Sequence, residues 1–238
     1  MANQSNPAFA VGAFFVPLAA LGYAVKVAST TGETYVHVMA GILWTGIDLF
    51  FGMVLGPVIG SLDEDSRAQV FQRLTPKMAF LMPALAITTI AAGIHLALRL
   101  GYFPNATPWL ALFTLVNLPP ALLLIGWQLD ALDDRRFQVP FALVTLPAVV
   151  WVGLTVGDLT MTRPVILAAL AIVTVLSLEG FGLILPGEVR VYLEMQSATP
   201  DPDLIGRIGM RNAKLAGVQG AFQLVLIAVM VSLRWGGF

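Results

Sequence analysis

Seven long apolar runs constrain the fold of this chain more than any other feature of its sequence. Each is close to or above the roughly 20 residues that a helix needs to cross about 30 Å of hydrocarbon. Lipid offers the backbone no hydrogen-bonding partner, so such runs fold as helices. The sequence therefore predicts an all-α integral membrane protein with seven transmembrane helices. The runs cover residues 8–28, 35–60, 76–99, 108–128, 138–157, 164–187 and 213–235.

The composition agrees with a lipid environment. Only 11% of the residues are charged and 58% are hydrophobic, and the mean hydropathy is +0.83. A soluble domain usually carries about 25% charged residues, so the apolar excess is expected to face a lipid bilayer. The 13 Lys and Arg residues are balanced by 14 Asp and Glu residues. This balance leaves no basic field for binding nucleic acid.

The basic residues between the runs predict an orientation. Nine fall in or beside the loops after runs 2, 4 and 6, and four fall on the other side. The positive-inside rule then places the N-terminus in the cytoplasm of a prokaryotic cell whose inner membrane holds the chain. No Lys or Arg precedes the first apolar run, so we expect this helix to be retained rather than cleaved as a signal peptide. The nine are Arg67, Arg73, Lys77, Arg135, Arg136, Arg190, Arg207, Arg211 and Lys214.

A short motif recurs along the chain. Residues 51–57 (FGMVLGP) resemble residues 181–186 (FGLILP), and each copy is followed by a polar loop and another apolar helix. We therefore expect one transmembrane domain, residues 1–238, with a 3+1+3 parallel internal repeat. The repeats would be 8–100 and 138–235, linked by the helix at 108–128 and related by an axis along the membrane normal.

Absent residue types exclude several chemistries. There is no Cys, so disulfides, iron–sulfur clusters and thiolate nucleophiles are excluded. The chain has only two His residues, too few for a three-His metal centre. A retinal Schiff base needs a Lys deep in the last helix, but Lys214 is predicted at that helix's cytoplasmic mouth. The rhodopsin-like chemistry of many seven-helix proteins is thereby excluded.

The two histidines predict a haem site. His37 and His95 lie near the outer ends of consecutive antiparallel helices, and so at similar depth. A haem b iron with two axial His residues takes one ligand from each of two facing helices. Gly41 and Trp44 share the helix face of His37, where glycine would admit a porphyrin and Trp would pack on its edge. We expect His37 and His95 to be the iron ligands; the alternative is two interfacial, hydrogen-bonded histidines.

Two carboxylates are predicted near the membrane midplane, Asp48 in the second run and Glu179 in the sixth. Charge at this depth is costly, so both are candidate catalytic residues, either on a proton path or as acceptors for a quinol hydroxyl. Asp48 follows His37 by 11 residues, roughly 16 Å at 1.5 Å per residue, and so would act below the haem. The alternative is a structural role, with hydrogen bonds to Thr45, Asn117, Gln219 or Gln223.

Residues 35–46 (YVHVMAGILWTG) resemble the first histidine helix of several bacterial membrane families. These are the copper-resistance CopD-type proteins, the HemJ-type protoporphyrinogen oxidases and the membrane domain of PuuD-type urate oxidases. The shared pattern is a His, a small residue and then Trp-x-Gly. Residues 73–77 and 88–93 resemble the second helix of the same unit, so the resemblance covers about residues 33–100. It implies a helical bundle able to hold haem or copper through His37.

These observations predict a b-type haem-binding redox or electron-transfer protein that works with quinol or a partner protein. Two alternatives remain open. One is a proton- or copper-coupled transporter, in which Met78 and Met82 share a helix face and offer thioether ligands to Cu(I). The other is a non-catalytic membrane subunit of a larger complex.

Overall fold

The computed structural model describes residues 6–236, which form helices and no β-strand. Among these residues, seven helices are long and apolar enough to cross a membrane. The predicted all-helical chain with seven spans is therefore confirmed at this level, and the helices indicate a multi-pass membrane protein. They are α1 (Pro7–Lys26), α2 (Thr30–Gly60), α3 (Glu64–Arg99), α4 (Ala106–Gln128), α5 (Arg135–Asp158), α6 (Pro164–Met195) and α7 (Pro202–Trp235).

Several helices extend beyond the apolar runs that predicted them. Helix α2 begins at residue 30 rather than 35, because the Ser29 hydroxyl accepts the backbone N–H of Gly32 at 3.2 Å. Helix α3 begins at residue 64 rather than 76, where Asp63 accepts the N–H of Ser66 at 2.9 Å. Helices α6 and α7 also continue past their predicted bounds, to residue 195 and from residue 202. The length of an apolar run indicates which residues cross the hydrocarbon core. The polar capping residues determine where the helix begins.

The recurring motif has the same local structure in both copies. Helix α2 contains a π-helical segment at Phe50–Leu55, and α6 contains one at Leu178–Ile184. Pro57 and Pro186 each follow at the second position after the segment and lack an N–H, so the carbonyl four residues earlier loses its helical partner. Segments of this kind occur often at functional sites. The 3+1+3 repeat itself stays a prediction.

The described residues form two compact units. Unit 1 consists of residues 6–96 and 184–221, and unit 2 consists of residues 97–183 and 222–236. Both units combine segments from the two halves of the chain. Their bounds therefore differ from those of the predicted repeats.

Unit 1 is held together by an apolar cluster at the C-terminal end of α2 and by close helix contacts. The α2–α7 contact is tight, because a side chain on Gly52 would overlap the backbone of Gly217. Small residues allow such close approach of helices in lipid. The cluster consists of Phe51, Ile59, Ala68, Phe71, Val191, Ile205, Ile208, Ala213 and Ala216.

In unit 2, α4 packs against α5 and against the first part of α6. Helix α5 exposes large apolar side chains along its length, with Leu143, Leu146 and Leu154 each at least 65% exposed. Exposure of this surface to water would be unfavourable, and soluble proteins rarely expose large continuous apolar patches. The exposed face of α5 is therefore the kind of surface that a bilayer covers.

Candidate functional site

A buried carboxylate and a histidine pair at the N-terminal end of α2. Glu33, in the first turn of α2, is fully buried, and its Oε1 lies 2.5 Å from Nδ1 of His95 on α3. The His95 side chain is 37% exposed, so the pair runs from accessible surface into the interior. The positive end of the α2 dipole stabilises a negative charge at Glu33. A carboxylate and an imidazole in hydrogen-bond contact can pass a proton between them.

His37 lies one turn further along α2 and contacts α3 at a different point. Its Nδ1 donates to the Thr89 carbonyl at 2.9 Å, and its ring lies over Gly93, where a Cβ atom would be 2.7 Å from Cε1. A carbonyl can only accept, so Nδ1 of His37 carries a proton and Nε2 remains for another partner. The two histidines are thus offset by about one helical turn, roughly 6 Å at 1.5 Å per residue. The sequence predicted similar depths.

The predicted haem-binding face of α2 is closed by α3. Gly41 does not face an open space, because a Cβ atom there would lie 3.3 Å from Cγ2 of Thr89. Gly93 is likewise covered by the His37 ring. Each of these two glycines accommodates a neighbouring side chain of the α2–α3 contact and so does not itself provide the space for a porphyrin that the sequence predicted. The Nδ1 contacts of both histidines fit a ligating role, in which Nε2 binds the metal, but the α2–α3 packing does not fit a haem clamped between these helices.

The buried face of α2 continues towards the middle of the helix. Trp44, Thr45 and Asp48 are each less than 7% exposed, and the Thr45 hydroxyl donates to the Gly41 carbonyl at 2.8 Å. Leu49, next to Asp48, contacts Gly220 of α7, as a Cβ built at this glycine would lie 2.8 Å from Cδ2 of Leu49. Asp48 is therefore buried inside unit 1, on the same face of α2 as Glu33 and His37, and the next residue, Leu49, lies at the α2–α7 contact.

Glu179 belongs to unit 2 and lies in the π-helical segment of α6. It is 7% exposed, and its Oε2 has no hydrogen-bond donor. Near it along the α4–α6 contact, Asn117 donates to the Thr174 hydroxyl at 3.3 Å, and Gln128 donates to the carbonyls of Gly182 and Leu183, both at 2.9 Å. The two predicted catalytic acids, Asp48 and Glu179, thus lie in different units.

Two buried acids with defined partners were missed by the sequence reasoning. Glu33 falls outside the predicted span, which begins at residue 35. Its position four residues before His37, after a Ser29 cap, is the sequence signal that includes it in the helix. Glu188 of α6 is 9% exposed and accepts a hydrogen bond from Asn212. Its signal is weaker: a Glu two residues after Pro186, just beyond the end of the predicted run.

In the described part of the chain, no three His, Asp or Glu side chains converge in a way that could hold a metal ion. Comparison with protein-family models, with curated proteins and with solved structures found no match for this chain.

Proposed function

We propose that this chain is a membrane transporter that moves protons through unit 1. One observation carries the proposal: the fully buried Glu33 carboxylate is reached through the partly exposed imidazole of His95. A buried acid is costly in an apolar bundle unless it has a proton or a partner. An acid connected to the surface by a titratable ring is suited to taking up and releasing protons.

The chemistry of the Glu33–His95 pair supports proton transfer rather than only the burial of a charge. Imidazole has two nitrogens, so it can accept a proton at Nε2 while it gives one up at Nδ1. At His95, Nδ1 faces Glu33. A proton that binds Nε2 of His95 can therefore release the Nδ1 proton to the Glu33 carboxylate. The ring returns to its starting state when its tautomer exchanges or the ring turns.

Further polar groups extend the path into unit 1. His37 lies one turn beyond Glu33, and Asp48 is buried on the same face of α2. On α3, Thr88 is 1% exposed and its hydroxyl has no hydrogen-bond partner. A buried hydroxyl of this kind can bind an internal water molecule, which would connect groups that do not touch. Asp48 is the proposed proton acceptor beyond His37.

The direct test is proton flux into proteoliposomes that contain the purified protein and a pH-sensitive dye. We expect wild-type protein to conduct, and Glu33→Gln and His95→Gln each to reduce the flux about tenfold or more, as for the loss of a general acid–base group. Both glutamines keep hydrogen-bonding capacity but cannot exchange a proton at this site.

Glu64→Gln is the matched control, because Glu64 is an exposed acid in the first turn of α3. It removes one carboxylate without altering the buried face, so its flux should equal that of the wild type. Unchanged flux in both Glu33→Gln and His95→Gln would contradict the proposal.

A haem-binding redox protein is the second candidate. Its support is that the Nδ1 contacts of His37 and His95 leave Nε2 of each ring for iron. It requires α2 and α3 to lie further apart than in this structure, where their packing does not fit a haem between them. The visible spectrum of the purified protein tests it: a b-type Soret band that shifts on reduction and disappears in His37→Ala and His95→Ala supports haem. A colourless, folded protein contradicts it. In this second candidate, quinol or a partner membrane subunit is the electron source.

A further inference from the structure

Three helices of unit 1 meet at a buried polar cluster around Glu188. The Nδ2 amide of Asn212 on α7 donates to Oε1 of Glu188 on α6 at 2.9 Å and also contacts the Ile184 carbonyl at 3.1 Å. Thr75 of α3 is 1% exposed and its side chain faces the same carboxylate. Neither the predicted haem site nor the proposed Glu33–His95 pair uses this cluster.

The carboxylate is only half satisfied. Glu188 is 9% exposed, and its Oε2 is buried with no donor in hydrogen-bond geometry, although the Thr75 side chain lies close enough to interact with the carboxylate. A buried acceptor left without a donor costs about 1–3 kcal/mol, and more when the group is charged. Oε2 is therefore the atom at which this cluster can gain a proton or a hydrogen-bond donor.

The donor set suits a proton better than a metal ion. The Asn212 amide turns its N–H₂ group towards Glu188, while its Oδ1 accepts from Nη2 of Arg211 at 3.3 Å. The amide oxygen is thus occupied by Arg211 and does not face the carboxylate. Arg211 is the charged neighbour of Glu188, and Arg190 lies near Arg211. Two nearby guanidinium groups oppose a fixed metal cation at this carboxylate and favour release of a proton bound at Oε2, which suits an exchange site rather than a metal site.

The cluster lies far along α2 from the Glu33–His95 pair. Gly60 at the end of α2 faces Met210, and Gly56 faces Ala213, which adjoins Asn212. Glu33 and residue 56 are 23 residues apart on the same helix, roughly 35 Å at 1.5 Å per residue. This separation is comparable to the roughly 30 Å thickness of the hydrocarbon core.

We propose that Glu188 is the second proton-exchange site of unit 1, which binds and releases H⁺ at Oε2 at the end opposite the Glu33–His95 pair. The inference rests on the proposed proton transport and adds its other terminus. No covalent or redox step is involved: one proton binds Oε2 from one side and leaves to the aqueous phase or to the interior path. Asn212 positions the carboxylate through Oε1 and leaves Oε2 open.

The test combines infrared difference spectroscopy with flux. In detergent-solubilised wild-type protein, we expect a protonated-carboxyl band that disappears as the pH is raised and is absent from Glu188→Gln. In proteoliposomes, we expect Glu188→Gln to reduce proton flux about tenfold or more. Glu188→Asp keeps a carboxyl group and should retain both a titrating band and part of the flux, and it serves as the second variant if Glu188→Gln does not fold. Glu64→Gln is the control.

The outcomes separate the two proposals. If the wild type conducts while Glu188→Gln conducts equally well, the Glu188 inference is overturned and proton transport stands. If the wild type does not conduct, proton transport is overturned. In that case, a titrating infrared band assigned to Glu188 would still support Glu188 as a site that binds and releases a proton. The absence of such a band would overturn that inference as well.

Discussion

Replacing Gly93 with alanine should displace His37 and weaken the α2–α3 contact. The added Cβ atom would lie 2.7 Å from Cε1 of His37, closer than real Cβ contacts come, and 3.1 Å from Nδ1, a tight contact. The imidazole must therefore move, and its 2.9 Å hydrogen bond to the Thr89 carbonyl is lost.

The expected loss of stability follows from these two effects. Overpacking of a filled contact costs about 1–3 kcal/mol, and a lost hydrogen bond costs about 0.5–1.5 kcal/mol. We expect Gly93→Ala to lower the free energy of unfolding by about 1.5–4.5 kcal/mol, the sum of both. Gly46→Ala is the matched control, since a Cβ atom at Gly46 meets nothing within 4 Å. The control should be neutral or slightly stabilising because alanine favours helix.

The assay is reversible unfolding of the purified protein in mixed micelles, followed by tryptophan fluorescence. A double-mutant cycle with His37→Ala sharpens it, because removing the ring removes the clash. Gly93→Ala should then cost much less in the His37→Ala background. The contact between Gly93 and the His37 ring would be refuted if Gly93→Ala lowered the free energy of unfolding equally in both backgrounds. It would also be refuted if Gly93→Ala were as stable as the wild type.

Three further outcomes are expected. Gln128→Leu removes the amide that donates to two backbone carbonyls of α6; it should lower the free energy of unfolding by about 1–3 kcal/mol in the same assay. The Ser66 backbone N–H lowers the pKa of Asp63, so the cap on α3 is fully present above the ordinary aspartate range and is lost as pH falls through the lowered pKa. Hydrogen exchange of the first turn of α3 should increase on acidification in the wild type but not in Asp63→Asn. Cysteines introduced at Thr31 and Ser66 should be labelled from opposite sides of the membrane, Ser66 from the cytoplasm.

The number of helices was readable from the sequence because hydrocarbon thickness sets the length of an apolar run. The ends of the helices could not be predicted from apolar length. The segments that precede residues 76 and 213 are amphipathic, and their helices begin at polar caps. This difference has a functional consequence at Glu33. A span that starts at residue 35 excludes this acid, whereas the Ser29 cap places it one turn before His37.

The pairing of side chains across helices was harder to predict. Antiparallel order suggested that His37 and His95 lie together, but the rotation of each helix about its axis decides which groups meet. In the structure His95 meets Glu33, and His37 meets the backbone of α3 at Thr89 and Gly93. A pattern of small residues was compatible with a porphyrin or with close helix packing, and only the three-dimensional contacts distinguish them.

The central claim is that Glu33 and His95 act together as a proton-exchanging pair. The chain has only two histidines, so solid-state NMR of ¹⁵N-histidine-labelled protein in lipid gives two sets of imidazole signals, and the His37→Asn variant assigns them. We predict that Glu33→Gln changes the Nδ1 signal of His95 and leaves that of His37 nearly unchanged. A His95 signal that is the same in wild type and Glu33→Gln would contradict the pairing of Glu33 with His95.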